Sequence, residues 1–131
     1  MSGLFNTAHW SPDLPNAANV KFVAEFQKEY KRVPTLYASQ GYDAAQLINA
    51  AVRDVKGNLE DQDAVRKALK AARFDSVRGA FKFNSNQYPV QNYYVRVIGS
   101  DGKGGLVNKT IGGPILKDHG DAYVGACPMK P

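Results

Sequence analysis

From pattern alone the sequence predicts an α+β chain. Residues 17–72 carry three segments of helical periodicity, and the apolar period then changes to two. Glycine- and proline-rich turns separate the elements of the second half. Helices first and antiparallel strands afterwards is the order that marks this class.

The elements follow in order. Trp10-Ser11-Pro12-Asp13-Leu14-Pro15-Asn16 is rich in turn residues, and its two prolines hold the chain extended. Asn16 is a good N-cap. Val20, Val23, Phe26 and Tyr30 recur at helical spacing, with Phe22 widening the stripe. Lys21, Glu25, Lys28 and Glu29 take the other side, which predicts a helix over residues 17–31. Pro34 closes that segment. A second helix, residues 38–55, presents Tyr42, Ala45, Ile48, Val52 and Val55 on one face. Its Ala44, Ala50 and Ala51 permit close packing, and Gly57 stops it. A third helix starts at Asp61 or Asp63, either of which can cap it. Val65, Ala68, Leu69 and Ala72 form its narrow apolar face. Arg66, Lys67, Lys70 and Arg73 suit the negative end of its dipole.

Phe81 and Phe83 share one strand face against Ala80 and Lys82, and residues 84–89 form a loop. Tyr93, Val95 and Val97 alternate with Tyr94, Arg96 and Ile98, which predicts a strand over residues 91–98. Residues 99–105 are a glycine-rich turn and 106–111 a third strand. Residues 112–131 are weakly patterned, and no internal repeat occurs.

A chain of 131 residues fits one domain. Its charge of +5 is scattered, and no basic run exceeds Lys31-Arg32, so it reads as a solvated surface rather than a nucleic-acid footprint. The single cysteine, Cys127, cannot form an internal disulfide. It reads as an inert thiol, with cross-linking of two copies as the other option. Residues 1–10 lack the basic start and apolar stretch of a signal peptide, so the chain as written is expected to stay in the cytoplasm. No segment approaches the ~20 apolar residues of a membrane span.

No enzyme motif stands out. Ser39 has no histidine near it in sequence. Gly102-Lys103-Gly104-Gly105 lacks the spacing and the Ser or Thr of a phosphate loop and reads as a hairpin turn. Lys117-Asp118-His119-Gly120-Asp121 lacks paired metal-ligand spacings and reads as a polar turn. Neither a metal nor another cofactor is expected. The candidate ligand-binding residues are Trp10, Tyr37, Ser39, Gln40 and Tyr42, with Phe5 beside them. Tyr and Trp present large stiff faces with one polar handle, which suit a small carboxylate with an apolar body. The start of the second helix adds free N–H groups that favour an anion. Tyr42 fits the core as well as a pocket, and Trp10 also fits a structural role.

Leu36-Tyr37-Ala38-Ser39-Gln40-Gly41-Tyr42-Asp43-Ala44-Ala45 stands between two further signatures. They are Phe22-Val23-Ala24-Glu25-Phe26 before it and Ser76-Val77-Arg78-Gly79-Ala80-Phe81-Lys82-Phe83 after it. Together these stretches closely resemble the periplasmic solute-binding proteins of branched-chain amino acid ABC transporters, a family that also handles aromatic acids. The resemblance runs over about residues 3–129. The family's proteins are much longer, and the chain resembles their C-terminal portion. The resemblance implies an α/β class and a partial type I periplasmic-binding-protein fold. Its helices would lie on a parallel sheet whose other strands come from earlier sequence, with antiparallel strands at the end. Residues 3–7 would leave one hinge crossing and 91–98 would include a later one. About 3–98 would be mostly one lobe, and 99–131 a tail reaching toward the second.

The resemblance also places Thr7-Ala8-His9-Trp10 and residues 37–43 along the cleft between lobes. Arg78 would form a buried charge-assisted hydrogen bond, and Gly79 would allow a close backbone approach; both are structural expectations. The implied function is binding an amino acid or aromatic carboxylate for uptake through an ABC permease. The aromatic acid is favoured by the Tyr- and Trp-rich wall. This is a non-enzymatic role with a periplasmic parent and no nucleic-acid partner. With half the cleft missing, the chain alone is expected to bind weakly. With sheet edges and apolar faces uncovered, it is expected to form a homo-oligomer. The alternative is an independent small cytoplasmic binding or self-assembling domain.

Overall fold

The computed structural model describes residues 2–129. The elements run β1 (Phe5–Ala8), α1 (Ala17–Tyr30), α2 (Leu36–Asp54), α3 (Gln62–Ala71), β2 (Lys82–Phe83), β3 (Pro89–Ser100), β4 (Leu106–Thr110) and β5 (Leu116–His119). A 3-10 turn at Val124–Ala126 follows. Side chains set the helix starts. Asn16 accepts from the Asn19 N–H. The Thr35 hydroxyl accepts from Ala38, so α2 begins earlier than its apolar periodicity alone indicates. Asp61, rather than Asp63, caps α3 by accepting from the Ala64 N–H at 3.0 Å.

β3 is the spine of the sheet, and β1, β2, β4 and β5 all pair with it antiparallel. β1 runs from Phe5 opposite Val97 to Ala8 opposite Tyr94. β4 runs from Thr110 opposite Arg96 to Leu106 opposite Ser100. The weakly patterned tail supplies β5, with His119 opposite Gln91. All four β5 side chains are exposed, so backbone pairing makes this strand and no apolar alternation marks it. Among the described residues no strand pair is parallel.

Trp10, Leu14, Phe22 and Val77 form the buried cluster, with Val23, Phe26, Leu36, Tyr42 and Tyr94 packed around it. The Trp10 indole N–H donates to Asn19 Oδ1 at 2.7 Å. The Asn19 amide in turn donates to the carbonyls of Ser11, Pro12 and Leu14 at 3.3, 3.2 and 2.9 Å. One buried asparagine thus satisfies the proline turn and fixes it to α1. The apolar stripes read from sequence bury only in part. Val20, Tyr30 and Ile48 are 56, 58 and 57 % exposed. The buried helix positions are Asn19 and Phe22 of α1 and Ser39, Asp43, Ala50 and Ala51 of α2. Val20, Tyr30 and Ile48 face a side that no described residue covers.

A second buried centre joins α2 to the strands. Asp43, 1 % exposed, accepts from Ser76 Oγ at 2.6 Å, the Val77 N–H at 3.0 Å and Arg78 Nε at 2.9 Å. Arg78 Nη1 reaches Gln91 Oε1 at 2.8 Å, and its guanidinium lies 4.8 Å from the Phe81 ring centre. Removing one partner of a buried, hydrogen-bonded pair strands the other charge. Asp43→Ala is therefore expected to cost about 3–5 kcal/mol, read from urea denaturation. A loss below about 1 kcal/mol, the range of exposed pairs, would contradict this assignment.

Candidate ligand-binding surface

The five candidate residues separate into three environments. Tyr37, in the first turn of α2, is 80 % exposed, and Trp10 is buried behind it. Both line one groove of about 380 Å³ between the start of α2 and β4, together with Val33, Leu36, Arg96 and Asn108. Gln40 is exposed one turn further along α2, with its Nε2 3.4 Å from His9 Nε2. Ser39 is wholly buried, and its hydroxyl donates to the Leu36 carbonyl at 2.7 Å within the helix. Tyr42 packs on Phe22, ring centres 4.6 Å apart, and its other side lines a separate depression between α1 and the end of α3. Phe5 lies exposed on β1.

Gly79 corrects one structural expectation. A side chain placed there would meet nothing within 4 Å, so no close backbone approach calls for glycine. Its φ of +91° does, because that left-handed region is strained for other residues.

Tyr93, Arg96, Asn6 and Asn108 were not singled out as site residues by their sequence positions. Tyr93 carries His9 and His119 edge-on at 6.1 and 5.7 Å. Its hydroxyl accepts from Gln91 Nε2 at 3.3 Å. Arg96 donates from Nε to Asn6 Oδ1 at 2.8 Å and from Nη1 to the Trp10 carbonyl at 2.9 Å. Asn6 in turn donates to Asn108 Oδ1 at 2.8 Å. One arginine thereby ties β1, β3, β4 and the proline turn together at the rim of the groove. Strand alternation marked Arg96 only as a residue on one face, and His9 stood out only by its place beside Trp10.

The electrostatics are asymmetric. Burial lowers the pKa of His9 to about 4, and the charges of Arg78 and then Arg96 add to the effect against the opposing pull of Asp43. His9 is therefore neutral at pH 7. Burial also draws Arg96 below its ordinary value, with Asp13 opposing. Arg78 has its carboxylate in Asp43. Among the described residues no carboxylate lies within ion-pair distance of Arg96.

A family model described as periplasmic binding protein matches residues 1–103. The chain belongs to the periplasmic binding protein family. No curated protein sequence matches it. The solved structures it resembles are solute-binding proteins of ABC transporters. One from R. palustris, in complex with benzoate, is 38 % identical at a TM-score of 0.76 over 89 % of this chain. Another, from Rhodopseudomonas palustris BisB5 with 3,4-dihydroxy benzoic acid, is 29 % identical at a TM-score of 0.74 over the same share. A leucine-binding protein from Thermotoga maritima shares the fold at 22 % identity and a TM-score of 0.66 over 82 % of this chain. The chain spans about a third of these proteins, 32, 32 and 30 % of their lengths. Its fold is thus α/β, a partial type I periplasmic-binding-protein fold.

His9 supplies a pH signature. The unfolded chain takes up this proton near pH 6.5 and the folded chain only near 4. The His9 contribution to stability is therefore complete above 6.5 and is lost progressively as pH falls toward 4. NMR titration of the His9 ring is expected to give a midpoint near 4, and His9→Gln to remove that part of the acid sensitivity. A His9 midpoint at 6 or above would contradict the burial described here.

Proposed function

We propose that this chain forms one wall of the ligand cleft in an ABC-transporter solute-binding protein that captures an aromatic carboxylate in the periplasm and passes it to a membrane permease. The observation that carries the reading is the 38 % identity, over 89 % of this chain, to a solute-binding protein solved with benzoate. The groove beside Trp10 and Tyr37 supports it, with flat aromatic and apolar walls and a guanidinium at the rim. An α-amino acid would also need a carboxylate for its ammonium group. The two nearby carboxylates have their oxygens engaged, Asp43 by Ser76, Val77 and Arg78 and Asp13 by Thr110. That favours an aromatic acid over leucine.

On this reading residues 3–98 belong mostly to one lobe and its hinge strands, and 99–131 reach toward the second. Closure around a solute is a hinge motion that needs both lobes. The chain alone offers one wall and binds weakly. The exposed apolar positions, Phe5 and Ile48 among them, favour association of two copies.

Thermal-shift measurements at millimolar ligand and matched ionic strength test the substrate class. A ligand at ten times its Kd adds about 1.4 kcal/mol to folding stability. Benzoate and 4-hydroxybenzoate are expected to raise Tm reproducibly and leucine to leave it unchanged. A rise with leucine alone would overturn the aromatic assignment. Sedimentation equilibrium tests self-association, with a dimer mass expected at tens of micromolar chain and a persistent monomer mass contradicting it.

A further inference from the structure

We infer that Arg96 is the anchor for the ligand's carboxylate, a deeper claim that rests on the aromatic-acid reading above. The argument begins with charge. Two arginines lie close enough to His9 to depress its proton affinity. Asp43 neutralises Arg78 at 2.9 Å, and His9 is itself neutral. Arg96 has no carboxylate within ion-pair distance among the described residues, and the charge of Asp13 acts on it only from further away. Its recorded acceptors, the Asn6 amide oxygen and the Trp10 carbonyl, are neutral dipoles that orient the guanidinium without cancelling its charge. The nearby Asp13 gives one oxygen to the Thr110 N–H and the other to the Thr110 hydroxyl, each at 2.7 Å. A half-buried arginine with neutral partners gains most from an anion brought to it.

The groove around it selects which anion. Arg96 shares the lining with Trp10, Tyr37, Leu36, Val33 and Val107. A volume of about 380 Å³ accommodates a single aromatic ring, and apart from Thr35, Arg96 and Asn108 the walls are apolar or aromatic. A flat acid fits with its ring along Tyr37 and its carboxylate on the guanidinium, where Arg can donate in a fork. The Asn6–Asn108 hydrogen bond and the Asn6–Arg96 hydrogen bond hold the donor in place before the ligand arrives. This preorganisation lowers the ordering cost of binding.

The test is an NMR amide titration of the full chain with benzoate and with benzamide, its neutral counterpart, at equal millimolar concentrations. Benzoate is expected to shift Tyr37 and residues 106–108 and to bind roughly tenfold tighter than benzamide, the worth of one charge-assisted pair. Asn108→Asp keeps the oxygen that accepts from Asn6 and places a competing carboxylate beside the guanidinium. It is expected to abolish the preference for benzoate with the fold intact. Arg96→Gln is expected to do the same, and Asn108→Asp carries the test if Arg96→Gln loses its fold with the Asn6 and Trp10 contacts. Benzoate shifts centred on His9, Gln40 and Tyr93 that Asn108→Asp leaves unchanged would overturn the Arg96 assignment and leave the aromatic-acid reading standing. An equal response to benzoate and benzamide would also overturn it. No response to any aromatic acid at tens of millimolar would overturn both.

Discussion

The buried Asp43 carboxylate is the constraint on which the rest of this structure depends. It sits on α2 and takes three hydrogen bonds from consecutive residues, Ser76, Val77 and Arg78. Those residues lead from the helical half of the chain into the sheet. The Arg78 side chain then carries the connection to Gln91 at the start of β3. A carboxylate removed from water is tolerated only when its lone pairs are filled, and here the filling groups belong to the segment that must be held. Val77, with no exposed surface, is pinned by the same contact and completes the core around Trp10 and Phe22.

That latch determines where the proposed ligand wall lies. Holding the middle of α2 against residues 76–78 sets the position of its first turn, and so of Tyr37 and Gln40, relative to β3. From the other side, Arg96 of β3 reaches Asn6 of β1 and the Trp10 carbonyl, while Asp13 clasps Thr110 of β4. The groove is the space left between these two anchored parts. Its charge pattern follows from the same contacts. Asp43 is consumed in the latch, which neutralises Arg78 and leaves Arg96 without a direct carboxylate partner among the described residues.

Much of the architecture was legible in the sequence. The period-3.6 stripes gave α1 and α2, and the alternation from Tyr93 to Ile98 gave β3. β5 was not legible, because exposed residues paired only through their backbones carry no apolar signal. The exposed Val20, Tyr30 and Ile48 show the converse limit. Their spacing marks a face to be buried, yet spacing cannot say that no described residue covers it. At the surface, aromatic and amide residues at the start of a helix drew attention to Tyr37 and Gln40. Ser39 belonged to the same run, but the helix turns its side chain into the core. The latch role of Asp43 carried no signal of its own, because its partners lie more than thirty positions away. Arg96 was hidden for a related reason. A charged residue in a half-buried strand reads as solvent-facing until its acceptors, ninety and eighty-six positions distant, are brought beside it.

The most direct test of the Asp43 latch is native-state hydrogen exchange at the Val77 amide, which donates into the Asp43 carboxylate from a fully buried position. The structure predicts that this amide exchanges only through global unfolding, with a free energy equal to the stability measured by denaturant. Exchange through a local opening, as fast as that of the exposed residues 101–104, would show that the latch opens freely and that α2 is held against the strands by something else.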